Sequence, residues 1–331
     1  MKKYIKNLVI ILLGLVIYSC LTTFAYGLSS EITNGLDYLG NTQNADGSWA
    51  VSVTSRTNSF YSTYETSISL ALINPQLGLH IAGFDYVITD PVDNTIYLSK
   101  KILALKTIGG DYSTVLSDLL QNQREDGGFG GDEEFFSDIL NNSLALQALK
   151  AVNYSDQTII NDAISYLTSN QNSDGGFGFY SDDDSNIYMT AVISSTLQQF
   201  PQITSIATAT SKATTYLISQ QNADGGFGSS TSSESPSTVY ETALAVIALL
   251  NTGQGTALPL QNAIIYLETT QLPNGSWNDD PYSTALALRA LASVKPNLSI
   301  SSSDIFFSKT NPTIGDTITV SANIKNTGPA Q

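Results

Sequence analysis

Few side chains in this chain of 331 residues could carry nucleophilic or metal chemistry, because it has one histidine, His80, and one cysteine, Cys20. A catalytic zinc site takes about three protein ligands drawn from His, Cys and carboxylates, and a Ser-His-Asp triad would have to pass through His80. His80 stands in a turn-rich stretch and reads as structural or exposed, so neither a metal nor a cofactor is expected. Carboxylates are the remaining candidates. Asp182-Asp183-Asp184 is the densest group, and Asp132-Glu133-Glu134 and Asp279-Asp280 fall in comparable loops. Such loops read either as solvated charge near helix N-termini or as a rim for a cation or basic ligand. Calcium would want about six to eight oxygens from several of them, and none has a calcium-loop spacing. Asp183, Glu65 and Glu241 are therefore weak catalytic candidates, and the two glutamates equally suit the first turn of a helix, where the dipole favours negative charge. Tyrosines form the other pattern. Aligned on a following small polar residue, Tyr64, Tyr97, Tyr188, Tyr240 and Tyr282 share one register with Leu140. Two places later stand Thr66, Ser99, Thr190, Thr242, Thr284 and Asn142. Tyrosine offers a flat apolar face and a hydroxyl together, so these positions, with Thr190 and Thr242, are candidate ligand contacts. Packing as core between helices is the competing reading.

These residues sit in a repeat. Tyr166-Leu167, Gln171 and Asp174-Gly175-Gly176-Phe177 return as Tyr216-Leu217, Gln221 and Asp224-Gly225-Gly226-Phe227. Related copies carry Gln43 with Asp46-Gly47-Ser48-Trp49, Gln123 with Asp126-Gly127-Gly128-Phe129, and Gln271 with Asn274-Gly275-Ser276-Trp277. The steps between glutamines are 80, 48, 50 and 50 residues, which marks a repeat architecture. Apolar residues before each glutamine fall at helical spacing, as in Ile159, Ile160, Ala163, Tyr166 and Leu167. The Asp-Gly pair then stops the helix by an Asx-type turn and a glycine tolerant of positive φ. A second, alanine-rich helix follows each turn. The 80-residue step holds one degenerate unit around Thr95–Ser99, with an irregular outer element over Gln76–Asp90. Counting it gives six second helices, starting near Tyr61, Asn94, Asp138, Asn186, Thr238 and Pro281.

The frame aromatic-Leu-x3-Gln-x3-Gly-x-Trp/Phe resembles the QW repeat of squalene and hopene cyclases, and the Gly-Gly-Phe-Gly variants resemble prenyltransferase β-subunit repeats. The resemblance covers about Glu31 to Val294. It implies an all-α fold, an (α/α)6 toroid with outer helices before each turn and inner helices after it, surrounding a central cavity. It also implies that the five glutamines tie helix ends together, and that the tyrosine register faces the cavity. Class II terpene cyclases protonate an alkene with an Asp-x-Asp-Asp motif just before a Thr-Ala pair. Here Thr190-Ala191, Thr242-Ala243 and Thr284-Ala285 are preceded by Tyr188, Tyr240 and Tyr282 at the proton-donating position. A phenol of ordinary pKa near 10 is no substitute for a strong carboxylic acid. The zinc ligands of the prenyltransferases are also missing.

The ends differ from the middle. Residues 1–27 read as a signal peptide, with Lys2, Lys3 and Lys6 before the apolar run Leu8–Ile17 and small residues at Ala25 and Gly27; lipid anchoring through Cys20 is the alternative. Residues 28–295 form the toroid. Beyond Lys295-Pro296, Thr317–Ile324 alternates as a half-buried strand does, and residues 296–331 resemble the start of a CARDB-type, Ig-like domain. The net charge of −15 excludes nucleic acid as the obvious partner. The chain is thus expected outside the cytoplasm as a non-catalytic ligand-binding or adhesion module. Its ligand would sit in the cavity or at its rim, and a cell-surface or protein partner could engage the C-terminal segment. The alternative is a divergent terpene cyclase or prenyltransferase-like enzyme, or a glycan-active lyase or hydrolase on a helical toroid.

Overall fold

The computed structural model describes residues 29–49, 59–132, 135–229, 235–252, 258–294, 298–299, 304–309, 316–323 and 325–326. The leader therefore lies outside the described residues. No helix among those described is long and apolar enough to cross a membrane. Among the described residues twelve α-helices alternate between two layers. The outer helices are α1 (Ser30–Thr42), α3 (Leu79–Thr89), α5 (Ser113–Gln121), α7 (Gln157–Ser169), α9 (Thr204–Ser219) and α11 (Leu258–Thr269). The inner ones are α2 (Ser59–Ile73), α4 (Thr95–Ile108), α6 (Ile139–Ala151), α8 (Ile187–Leu197), α10 (Val239–Asn251) and α12 (Pro281–Ser293). All six inner helices begin within a residue or two of the positions the sequence indicates. The segment after Gln76 is more regular than expected, a single 3-10 turn at Pro75–Leu77 followed by α3.

Burial separates the layers. α7 buries one stripe, Ile160, Ala163, Ile164 and Leu167. α12 buries ten of its thirteen residues, which suits a helix packed on several sides. Inner helices start with a shared cap. The side chains of Asn94, Asp138, Asn186, Thr238 and Asp280 accept the backbone N–H three residues on, satisfying donors the helix cannot.

The repeated glutamine is a clasp between units. Gln171 Nε2 donates to Gly175 O in its own turn at 2.8 Å and to Ala209 O of the next outer helix at 2.8 Å. Gln43, Gln123 and Gln221 do the same toward Leu79, Ile159 and Pro259. Gln271 reaches Glu31 O at 2.8 Å, closing the ring across 240 residues. The turn glycine is needed twice over. Gly175 has φ +91°, and a Cβ there would lie 2.7 Å from Lys212 O of the neighbouring outer helix. The turn aromatic is buried, and its backbone N–H is held by the following inner helix: Phe177 N donates to Thr190 Oγ1 at 3.0 Å and Phe227 N to Thr242 Oγ1 at 2.9 Å. In the degenerate second unit, which lacks the glutamine, the Lys101 ammonium holds the loop instead, donating to Asp90 O and Val92 O at 2.5 and 2.6 Å.

After α12 the chain makes two short antiparallel pairs, Leu298–Ser299 with Lys325–Asn326 and Ile305–Phe307 with Val320–Ala322. A strand is present where alternation indicates one, but Val320–Ala322 is exposed on both faces. Ile318, Phe306 and Phe307 are exposed as well. The expected half-burial is therefore corrected: no second layer covers these strands among the described residues.

Candidate functional site

The turn contacts fix the register of the inner helices. In the first unit Trp49 N donates to Thr63 Oγ1 at 3.0 Å, just as Trp277 N donates to Thr284 Oγ1 at 2.9 Å. Thr63, not Thr66, is therefore the counterpart of Thr190, Thr242 and Thr284, and Tyr61 rather than Tyr64 is the counterpart of Tyr188, Tyr240 and Tyr282. Counting from the cap Asn94, the second unit places Ile96 at that position, with Tyr97 one residue later. Tyr61, Ile96, Leu140, Tyr188, Tyr240 and Tyr282 then form one ring, one residue from each inner helix, and all six line a central cavity of about 570 Å³. Tyr64 also reaches this cavity, being one turn further along the same helix face.

Three of the rings stack in an arc. Tyr188 and Tyr240 have centroids 5.5 Å apart at 22°, Tyr240 and Tyr282 5.5 Å apart at 24°, and Phe179 extends the row at 6.0 Å from Tyr188. Burial pushes the phenols of Tyr61 and Tyr188 up to about 12 and those of Tyr240 and Tyr282 well above the ordinary value. Each ring is thus a hydrogen-bonding hydroxyl that keeps its proton, and a still weaker acid than free tyrosine.

One layer deeper, two residues beyond the threonine register, the wall is split. Glu65 from α2 and Lys100 from α4 stand beside Leu144, Val192, Leu244 and Leu286 from the other four inner helices. Lys100 Nζ lies 3.1 Å from Glu65 Oε1, and Arg289 Nη1 of α12 lies 2.7 Å from Glu65 Oε2. Lys100 Nζ also sits 3.9 Å from the centre of the Tyr64 ring, a cation–π contact. Burial alone would raise the Glu65 carboxyl, but the two cations outweigh it and hold the group below the usual glutamate value. Burial lowers the Lys100 ammonium despite the glutamate beside it. Glu65 is therefore an ionised anchor, unsuited to giving up a proton.

The other expected site residues do structural work. Thr190 and Thr242 are fully buried and spend their hydroxyls on the turns, so the expected ligand contact is corrected for both. Tyr97 is absent from the cavity wall; it stacks on Phe60 at 3.9 Å and meets Tyr61 edge-on at 5.7 Å, supporting the ring from behind. Glu241 is buried and bonded to the hydroxyl of its own cap, Thr238. Asp183 accepts the Tyr180 N–H in an exposed loop, and Asp280 is the cap of α12. No three His, Cys, Asp or Glu side chains are grouped to hold a metal ion among the described residues. Lys100 and Arg289 were not indicated by motif. Arg289 did carry a signal, a charge in a helix that is otherwise uncharged, as Glu65 does in α2; Lys100 carried none, being one of three lysines in α4.

The whole chain can now be set beside known proteins. Residues 96–281 match the prenyltransferase alpha-alpha toroid domain. The chain belongs to that family. No curated protein matches it. Among solved structures, type II terpene cyclase MstE from Scytonema superposes with a TM-score of 0.64 at 14% identity, covering 80% of this chain and 97% of that one. An alpha-amylase from Clostridium perfringens gives 0.62 at 12% identity, covering 81% and 99%. ent-Copalyl diphosphate synthase from Streptomyces platensis gives 0.54 at 21% identity over 70% of this chain and 49% of that one. At these identities the likeness establishes the family's fold, a terpene cyclase-like α/α toroid, and function must be argued from the site.

Proposed function

We propose that this toroid captures an elongated apolar ligand of the isoprenoid class in its central cavity, outside the cytoplasm, without acid-initiated chemistry. The observation that carries this reading is the ring Tyr61, Ile96, Leu140, Tyr188, Tyr240 and Tyr282 around a cavity of about 570 Å³. That volume falls within the usual range of small-molecule sites, about 300–1,000 Å³, and the aliphatic side chains and tyrosine faces that share the wall with its polar groups suit a hydrocarbon body. The basic and apolar start of the sequence supports export. MstE has been crystallised with geranylgeranyl dihydroxybenzoate as substrate, a polyprenyl tail on a polar head, and a ligand of that shape suits this cavity. Glycan hydrolysis by paired carboxylates about 5–10 Å apart is disfavoured, because among the described residues Glu65 is the one carboxylate in the wall and two cations hold it. An adhesion role has no observation behind it beyond the C-terminal strands.

A second reading, a divergent terpene cyclase-like enzyme, is favoured by the terpene cyclases among the structural neighbours. One experiment separates the two. The purified chain is incubated with geranylgeranyl amphiphiles, the complex is weighed by native mass spectrometry, and the extracted ligand is chromatographed against the starting material. Capture predicts a bound ligand recovered unchanged. A new isomer of the same mass would establish the enzyme reading, and the lack of any complex would remove the first.

A further inference from the structure

We infer that the cavity selects an amphiphile whose head group is a single carboxylate, received by Lys100 and Arg289. The inference rests on the cavity being a ligand site, and it adds the chemical class of the head. Among the described lining residues the charged side chains are Glu65, Lys100 and Arg289, so two cations face one anion. One positive charge is left over inside the toroid, where water screens it poorly. Ions buried without compensation are costly, and a ligand anion supplies what is missing.

The donors point the same way. Both Glu65 oxygens are engaged, one by each cation. Arg289 carries five N–H donors in a planar fork, and among the described residues only Nη1 is given to a protein acceptor, Glu65. Its side chain is also the most accessible of the three, 23% against 8% for Lys100 and 9% for Glu65. A carboxylate can take two parallel bonds from such a fork. Glu65 acts as a positioning residue: it draws cations from α4 and α12 to one point on the wall. On the same layer, Leu144, Val192 and Leu244 make the opposing wall apolar. At this layer the cavity is therefore divided into a charged side formed by α2, α4 and α12 and an apolar side formed by α6, α8 and α10, the division an amphiphile has, while elsewhere on or just after the latter helices Gln147, Ser195, Gln199 and Asn251 add uncharged polar groups to the wall.

Charge number selects among anions. A monoanion cancels the surplus positive charge, whereas a diphosphate would bring several negative charges beside Glu65 with no further cation in the described wall.

The test compares three ligands with one tail: geranylgeranoic acid, geranylgeraniol and geranylgeranyl diphosphate, titrated into the full chain at neutral pH by calorimetry and native mass spectrometry. The acid is expected to bind at least about tenfold more tightly than either of the others, the range of one charge-assisted hydrogen-bonded contact. Arg289→Gln and Lys100→Gln should each weaken the acid about tenfold more than they weaken the alcohol, while Arg289→Lys restores part of that difference. If alcohol and acid bind equally to the unmodified chain, the head-group assignment falls and the apolar-ligand reading stands. If the diphosphate binds most tightly, the monoanion assignment falls. If none binds, both readings fall. The comparison on the unmodified chain decides the matter even where a variant fails to fold.

Discussion

Replacing Glu65 by Gln tests whether this carboxylate is an anchor or an acid. The substitution keeps the shape and removes the charge, leaving Lys100 and Arg289 facing each other in a buried wall. Removing one partner of a buried ion pair costs about 3–5 kcal/mol. The partial access of the Arg289 side chain, 23%, places this case toward the lower end, about 3 kcal/mol. Glu241→Gln is the matched control, a buried first-turn glutamate bonded to its cap hydroxyl, where loss of the dipole interaction is worth about 0.3–1 kcal/mol. At about 2–4 °C per kcal/mol for a domain of this size, Glu65→Gln should lower Tm by about 6–12 °C and Glu241→Gln by no more than about 4 °C. Thermal circular dichroism at neutral pH reads both. The pH dependence supplies an independent sign. Glu65 has a depressed folded pKa, so its stabilisation is present above the ordinary glutamate value of about 4.3. It is lost as pH falls through the folded value, and the unmodified chain and Glu65→Gln should converge in stability in that acid range. Equal Tm losses for the two glutamates, or a gap that persists unchanged in acid, would refute the anchor role.

Gln221→Ala removes the bonds to Gly225 O and Pro259 O and should cost about 2 kcal/mol in denaturant unfolding, whereas Gln220→Ala, at a half-buried residue whose side chain bonds only the adjacent Ser219 hydroxyl among the described residues, should stay within about 0.5 kcal/mol. Tyr188→Ala and Tyr240→Ala should weaken capture of a geranylgeranyl ligand with the helical circular-dichroism signal kept; loss of fold together with binding would return these rings to a core role. Tyr61, Tyr166 and Tyr188 have phenols pushed up to about 12, chiefly by burial. Their contribution to stability is full below the unfolded value near 10 and is lost as pH rises through the folded values. Phenolate absorbance from these residues should therefore rise only as helix is lost or as pH approaches 12, and complete ionisation at about pH 11 in a folded chain contradicts this. Residues 296–331 expressed alone should show no cooperative transition on heating, since their strands are two or three residues long and pair only two by two among the described residues, with Val320–Ala322 exposed.

Local chemistry was legible in the sequence because each turn carries its own cause. A helix stop, an Asx turn, a glycine at positive φ and a buried aromatic all fall within seven residues, so five of the six units, and through them the six inner helices, could be read directly. The register inside the helices was read less well. The string Tyr64-Glu65-Thr66 repeats Tyr240-Glu241-Thr242, and identity of letters pulled the first unit three residues out of step. What sets the register is a hydrogen bond from Trp49 N, which selects Thr63. The second unit slipped by one for a related reason, since it has no glutamine turn from which to count. The charged cluster was illegible for a different reason. Glu65 is 35 residues from Lys100 and 224 from Arg289, and α2 meets α12 only once the ring has closed. No spacing within a repeat can announce a contact between the first and last members of the series.

Ring closure and site assembly are the same event in this molecule. The seam between α12 and α2 is joined by Ser69 Oγ donating to Ala285 O at 2.9 Å, and the outer layer is joined there by Gln271 to Glu31 O. At the cavity wall the same two inner helices are joined by the pair Arg289–Glu65. A ligand anion shared by Arg289 and Lys100 would bridge α12 and α4 on either side of α2, across the seam. Anything that binds the closed ring and not the open chain stabilises closure by mass action. The phenols occupy the position where the related cyclases keep their acid, and the charges lie one layer deeper. The toroid thus sets a layer of phenols above a layer of charge, and the charge compensation of Glu65 by Arg289 falls at the seam where the ring closes.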